Sequence, residues 1–322
     1  MNIIEKGLKK VFCLSPIDYI GSTLYRKWIK IKFRNDHMRY KRAENTFYQK
    51  YRNKQISILR KKFAQKIEKA KEEIDETDSR LKHEKQKVIW VLWYQGISEA
   101  PQLVKNCYES MKSKLSGYEI RLLDENNWSE YVELPNYIVR KFEEGKVSHA
   151  FLSDLIRLEL LIKYGGTWMD ATIMCMSDSM PSYFLESELF MFQAVYADNV
   201  NTSSSIENYF ITAFSNNKLL RMTQALLYEY WKKYDVVNDY LIFYDMFELA
   251  IEAFPEEWEK VIPVSRGASQ LLSHIWGRQY DSAVLGIISK QCPFQKLSYR
   301  FLPKEIKGTF YEKLSQGQSI MD

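Results

Sequence analysis

Between Ser148 and Thr172 the chain writes a helix, a stop and a strand in unbroken succession. The helix runs Ser148-His149-Ala150-Phe151-Leu152-Ser153-Asp154-Leu155-Ile156-Arg157-Leu158-Glu159-Leu160-Leu161-Ile162-Lys163-Tyr164; Gly165-Gly166 follows, then Thr167-Trp168-Met169-Asp170-Ala171-Thr172. Ser148 suits an N-cap and the glycine pair a C-terminal stop. Apolar residues fall on nearly every side of this helix, which places it inside a domain. Asp154 and Arg157, spaced i, i+3, share one face and are charges in a mostly dry place; stranding either would cost roughly 3–5 kcal/mol. They either pair with each other or serve a ligand. Gly165 and Gly166 allow positive φ and a sharp reversal, which is expected to bring Asp170 back beside that helix. Two carboxylates and a guanidinium then converge at a sheet edge, where α/β folds keep their ligands.

The string Ser153-Asp154-x-x-Arg157, a Leu-rich turn, and Tyr164-Gly165-Gly166-x-x-x-Asp170 is similar to the nucleotide-sugar-binding region of glycosyltransferase family 32 and the related capsular polysaccharide synthesis proteins. Val88-Ile89-Trp90-Val91-Leu92-Trp93-Tyr94-Gln95-Gly96 and Asp124-Glu125-Asn126-Asn127 also resemble that family, so the likeness spans about Val88 to Ile173. It implies an α/β fold, a Rossmann-like nucleotide-sugar-binding domain of GT-A type. It also implies retaining transfer of a hexose, galactose or glucose, from a UDP-sugar to a polyprenyl-diphosphate-linked oligosaccharide in capsular or cell-surface polysaccharide synthesis. On the same basis Asp154 and Arg157 hold the donor sugar, and Asp170 holds Mn²⁺ or Mg²⁺ under the diphosphate. Where the family motif carries a second Asp this chain has Thr172, a neutral and weaker ligand for a hard cation, although capsular relatives resemble this Asp-Ala-Thr form. The alternative is a non-catalytic sugar-binding or assembly protein of the same fold.

Ahead of the organising segment, Val88 to Tyr94 reads as a buried first strand, leaving Gln95 and Gly96 at its end near the nucleotide; Trp93 either stacks on a uracil or fills the core. Pro101 opens a helix to about Leu115, Tyr118 to Leu123 alternates as a second strand, and Asp124 follows as either a nucleoside ligand or a turn residue. Pro135 to Gly145 reads as a helix. Beyond Thr172, Glu188 to Val195 is expected to be a strand, Asp198 to Ser205 a polar loop shaping the acceptor cleft, and Ile206-Glu207-Asn208-Tyr209-Phe210 the entry to a helix. Asn208 is a candidate ligand for the donor sugar and Glu207 a candidate catalytic carboxylate, each with a cap or surface reading beside it. Helices follow at roughly Asn217–Tyr234 and Asp239–Phe254. In Ser273-His274-Ile275-Trp276-Gly277, His274 is a candidate metal or phosphate ligand and Trp276 a candidate lid, as transferases of this fold bring a C-terminal loop over the diphosphate.

Charge divides the chain. Residues 1–87 hold 24 Lys/Arg against 11 Asp/Glu, and residues 88–322 hold 22 against 30. The basic segment divides in turn. Over 1–34, Leu24, Tyr25, Trp28, Ile29 and Ile31 alternate with Arg26, Lys27, Lys30 and Lys32, which suits either a helix on an anionic membrane surface or one packed on the catalytic domain. Residues 37–87, free of Pro and Gly, read as a long charged helix or helical hairpin. Three parts are therefore expected: a basic helical region 1–87, the transferase domain 88–292, and a basic aromatic tail 293–322. No base-reading module is recognisable, so nucleic acid is not the expected partner. Cys13, Cys107, Cys175 and Cys292 are widely spaced, and no run reaches the roughly 18 apolar residues of a membrane span. The expected location is the cytoplasm, peripheral to the inner face of the cell membrane, with a homo-oligomer open.

Overall fold

The computed structural model describes residues 24–25, 27–34, 36–194, 206–237, 240–300 and 302–315. The expected acceptor-shaping loop at 198–205, the basic arm before residue 24 and Cys13 lie outside these. Strand β1 (Val88–Leu92), a buried run of Val, Ile, Trp, Val and Leu, is joined through helix α2 (Gln102–Lys114) to strand β2 (Glu119–Leu123), and the two strands pair in parallel from Val88↔Glu119 to Leu92↔Leu123. Strand β3 (Gly166–Met169) lies parallel to β1 on its other side, with Trp90 opposite Trp168. This parallel β2-β1-β3 layer is the Rossmann-like half of the fold.

The sheet then changes direction. Strands β5 (Leu189–Gln193) and β6 (Ile206–Ala213) complete a mixed six-stranded sheet in the order β2-β1-β3-β6-β5-β7, in which β6 runs antiparallel to both β3 and β5, and the short β7 (Val264–Ser265) closes the edge. The expected α/β class is what the chain adopts. One element differs: Ile206 to Phe210 enters no helix but forms the start of β6. Ile206, Tyr209, Phe210, Ile211 and Thr212 are β-branched or aromatic and sit between two strands, where their pleated packing outweighs the helix-cap look of Glu207 and Asn208.

Beyond helix α3 (Asn136–Glu143), helix α4 (His149–Tyr164) crosses one face of the sheet. The Ser148 hydroxyl accepts from Phe151 N at 3.4 Å, and Phe151, Leu152, Leu155, Ile156, Leu158, Leu160 and Leu161 are buried in the main core. Burying such side chains stabilises the fold by roughly 1.5–3 kcal/mol each. The helix ends at Gly165 (φ 66°) and Gly166 (φ 99°). A Cβ on Gly165 would stand 2.6 Å from Glu84 O, and one on Gly166 2.7 Å from Val88 O, so neither position admits a side chain. The tight passage puts Asp170 at the end of β3, directly below α4.

Helix α1 (His37–Asp78) is capped by Asp36, whose carboxylate accepts from Arg39 N at 3.0 Å. Its second half belongs to the body of the protein: Ile56, Leu59, Phe63, Ala70 and Ile74 join the core beside helices α5 (Lys218–Lys233) and α6 (Ile242–Ala253). Residues 24–25 and 27–32, ahead of it, are also helical and leave Leu24, Tyr25, Trp28 and Ile31 exposed. Past Pro293 the chain remains within the fold. Strand β8 (Phe294–Lys296) pairs antiparallel with β4 (Ile173–Cys175), and the helix Phe310–Ser315 packs on α2. Cys107, Cys175 and Cys292 are buried free thiols, with burial pushing Cys107 and Cys292 up to about 12.

Candidate active site

Where β1, β3 and β6 present their ends to α4, a cleft of about 930 Å³ opens. One wall is Asp154 and Arg157 of α4 with Asp170, Ala171 and Thr172 after β3, joined at Asp170 and Thr172 by Lys296; Trp168, Asn208, Tyr244 and the run Leu297 to Arg300 complete the lining. A volume of this size takes a nucleotide-sized ligand.

Arg157 organises the first wall. Its side chain is 6% exposed, and its Nη2 lies 3.3 Å from Asp154 Oδ1 and 3.6 Å from Asp170 Oδ1 while donating to Ser153 Oγ at 3.2 Å. Nη1 donates to the backbone carbonyl of Asn208 at 2.6 Å, and the guanidinium lies 4.9 Å from the centre of the Trp168 ring. Such a stacked, forked cation is fixed in plane, which a lysine could not reproduce. Asn208 joins the group from β6: its amide donates to Asp154 Oδ1 at 3.0 Å and its carbonyl oxygen accepts from Tyr244 OH at 2.8 Å. Trp168 Nε1 donates to Asp170 Oδ1 at 3.0 Å. Arg157 Nε and Trp93 Nε1 are buried donors with no partner among the described residues.

Their surroundings shift the two acids in opposite directions. Burial pushes Asp154 up to about 6, with the Arg157 charge opposing it, the Asp170 charge adding to it, and the Asn208 hydrogen bond pulling it down. Burial also acts on Asp170, but the Lys296 and Arg157 charges and the hydrogen bonds from Lys296 and Trp168 outweigh it and hold that carboxyl below its ordinary value. Asp170 is a permanent anion at neutral pH; Asp154 is poised.

Comparison with known proteins places this arrangement. The family model described as capsular polysaccharide synthesis protein matches residues 35–314, almost the whole described chain and all of the cleft. The chain belongs to the capsular polysaccharide synthesis protein family. No curated protein matches it. Among solved structures it is similar to one titled PaToxG Glycosyltransferase, 13% identical, covering 81% of this chain and 97% of that one with a TM-score of 0.39.

In this capsular polysaccharide synthesis protein the remaining expected site residues divide. Trp93 and Gln95 line the cleft, Trp93 meeting Tyr299 edge to face at 5.7 Å. Gly96 turns the chain after β1 with φ 81°. Asp124 takes the turn reading: its Oδ1 accepts from Asn126 N and its own N–H donates to Asn127 Oδ1, both at 2.9 Å, and it is not on the cleft wall. Trp276 is buried against Tyr311 beside a separate hollow lined by Pro303 and Lys304, so it packs rather than covers the cleft. His274 is exposed and lies outside the cleft lining. Glu207 is buried on Arg266, Oε1 accepting from Nη1 at 2.6 Å, and it too is outside the lining.

The residues do not fit a divalent metal. Asp170 and Thr172 stand together but His274 is outside the cleft lining, and among the described residues no cluster of three or more His, Cys, Asp or Glu is placed to hold an ion. The Asp170 and Thr172 oxygens instead meet Lys296, which carried no signal in the sequence: it lies 124 residues beyond Thr172, at the start of what read as a basic tail. Its one clue is the alternation Phe294-Gln295-Lys296-Leu297, a strand pattern too short to stand out.

Proposed function

We propose that this chain is a glycosyltransferase that moves a hexose from a UDP-sugar, galactose or glucose first, to a polyprenyl-diphosphate-linked oligosaccharide, with retention at the anomeric carbon. The observation that carries the reading is the convergence of Asp154, Arg157, Asp170 and Asn208 on one open cleft in a family of capsular polysaccharide synthesis. Asp154 and Asn208 offer an acceptor and a donor to sugar hydroxyls, and the Arg157 fork orients both. The diphosphate gains charge as it departs, so a fixed cation near it lowers the barrier. In front-face retention the leaving phosphate itself takes the acceptor's proton, and the cleft needs no separate base. Trp93 and Tyr299 form an aromatic corner suited to a base.

The exposed Leu24, Trp28 and Ile31, interleaved with Lys27, Lys30 and Lys32, support an anionic membrane surface as the place where the lipid-linked acceptor is met. No helix among the described residues is long and apolar enough to cross a membrane, so the proposed contact is peripheral.

The test is a screen of nucleotide-sugars by thermal shift, followed by UDP release with and without acceptor. A bound UDP-hexose raises the melting temperature, by an amount that grows with the logarithm of ligand concentration above its Kd, and is turned over. Binding without turnover under any acceptor would favour a non-catalytic sugar-binding protein, and no stabilisation by any nucleotide-sugar would discard the donor site.

A further inference from the structure

The Asp-x-Thr corner of the cleft is filled by an ammonium. Lys296 Nζ lies 2.7 Å from Asp170 Oδ2 and 2.7 Å from Thr172 Oγ1, so the two oxygens that a divalent ion would take first already share one cation. The backbones that carry these side chains are themselves paired. Lys296 is paired with Ile173 across β4 and β8, and Leu297 N donates to Thr172 O at 2.9 Å, which fixes the two strands immediately beside the contact. The neighbouring Gln295 is fully buried and anchored at both ends of its amide: Oε1 accepts from Leu272 N at 3.0 Å, and Nε2 donates to Ala268 O at 3.0 Å and Cys292 O at 2.9 Å.

Charge around Asp170 argues in the same direction. One carboxylate and one neutral hydroxyl are a poor set for Mg²⁺ or Mn²⁺, which favour several oxygen ligands with carboxylates among them. Arg157 stands 3.6 Å from the same carboxylate, so an arriving dication would meet two resident cations at Asp170, while the Asp154 carboxylate is already engaged by Arg157 and Asn208. Lys296 also lines the cleft, and only two of its three N–H donors are used by Asp170 and Thr172.

We propose that Lys296 is a catalytic residue that takes the place of the divalent metal, binding the diphosphate of the donor through its remaining N–H, and that transfer requires no divalent cation. The proposal rests on the nucleotide-sugar reading above. In the step it assists, the bond between the anomeric carbon and the diphosphate oxygen breaks and its electron pair stays on that oxygen. The acceptor hydroxyl oxygen forms the new bond to the same carbon, and its proton passes to the departing phosphate. Lys296 stays protonated throughout and offers its N–H to the oxygen that gains charge, while Asp170 and Thr172 keep the ammonium aimed.

The experiment uses the full chain with the UDP-hexose found by screening, and UDP itself as the binding probe. In EDTA, the wild type is expected to bind UDP by calorimetry and to turn over at the rate seen with Mn²⁺. Lys296→Ala should lose at least about 100-fold in kcat, the scale of removing one donor from a developing anion. Lys296→Arg should recover a measurable part of that loss, and UDP should bind Lys296→Ala more weakly in EDTA at an unchanged far-UV spectrum. Loss of wild-type turnover and UDP binding in EDTA, restored by Mn²⁺, overturns the proposal while leaving the transferase reading intact. Wild-type kcat in Lys296→Ala does the same. Failure of every nucleotide-sugar to bind, with or without Mn²⁺, strikes the underlying reading instead.

Discussion

Glu207 and Asn208 are neighbours on β6, and they face opposite sides of the sheet into two clusters of buried charge. On one side Asn208 meets Asp154, with Arg157, Asp170 and Lys296 beyond it. On the other Glu207 closes on Arg266 at 2.6 Å while Tyr209 OH and Ser269 Oγ meet at 2.7 Å. Each cluster sets a carboxylate, half-buried in Asp154 and buried in Glu207, against a buried guanidinium, and in each burial pushes that carboxyl up. What separates them is access. The first group lines a cleft of about 930 Å³, whereas Glu207 and Arg266 are absent from its walls. Buried, paired charge thus marks a structural requirement in both places, and only the open cavity turns one of them into a candidate for chemistry.

The comparison breaks first on kinetics. Asp170→Asn should lower kcat/KM for transfer at least about 100-fold, on the scale expected when an oriented charge beside a developing anion is removed. Glu207→Gln, isosteric and outside the cleft, should stay within roughly 3-fold of wild type, a change of less than about 1 kcal/mol. Comparable losses in both variants would mean that the sheet transmits the perturbation and that access is not the dividing feature.

Stability should separate the clusters in the opposite sense. Glu207→Ala deprives a buried Arg266 of its carboxylate and is expected to cost about 3–5 kcal/mol, read as a lower urea midpoint with the donor KM unchanged. A midpoint equal to that of the wild type would show that water reaches Arg266 and that this cluster is less sealed than its burial suggests.

How much of this was legible before the structure depends on sequence distance. The helix over His149–Tyr164, its Ser148 cap and the Gly165-Gly166 reversal lie within one continuous stretch, where cap chemistry and positive φ leave few choices; Asp154, Arg157 and Asp170 were therefore readable as neighbours. Strand β1 followed from an apolar run and β2 from an alternating one, each of ordinary length. The start of β6 was misread because Glu207 and Asn208 look like a helix entry until their partners are known, and those partners, Arg266 on one face and Asp154 and Tyr244 on the other, lie 36 to 59 residues away. Lys296 is the extreme case. Its role depends on pairing β8 with β4, a contact across more than a hundred residues that no local pattern encodes. His274 and Trp276 failed in reverse: a suggestive local string was placed by packing outside the cleft.

The smallest predicted effect concerns the poised acid. Burial lifts Asp154 to about 6, so the folded state holds its proton over a range where the unfolded chain, at the ordinary carboxylate value of 3.8, has released it. Stability from this group is complete below about pH 4, declines as pH rises to 6, and is constant above, where both states are ionised. Asp154→Asn does not titrate, so its melting temperature relative to wild type should rise between pH 4 and pH 7 and then level, a swing on the order of 1–3 kcal/mol. The opposite slope would mean that Arg157 and Asn208 outweigh burial at this carboxyl. Glu207→Gln should slope in the same direction, since burial also raises Glu207. A saturating UDP-hexose distinguishes the two: a ligand seated in the cleft alters the environment of Asp154 directly and changes the slope of its variant, while Glu207, which feels the cleft only through the Lys296 and Asp170 charges, should show a smaller change. If the ligand changed both slopes equally, or neither, the two faces of β6 would be equivalent toward the donor and access could not be what sets Asp154 apart.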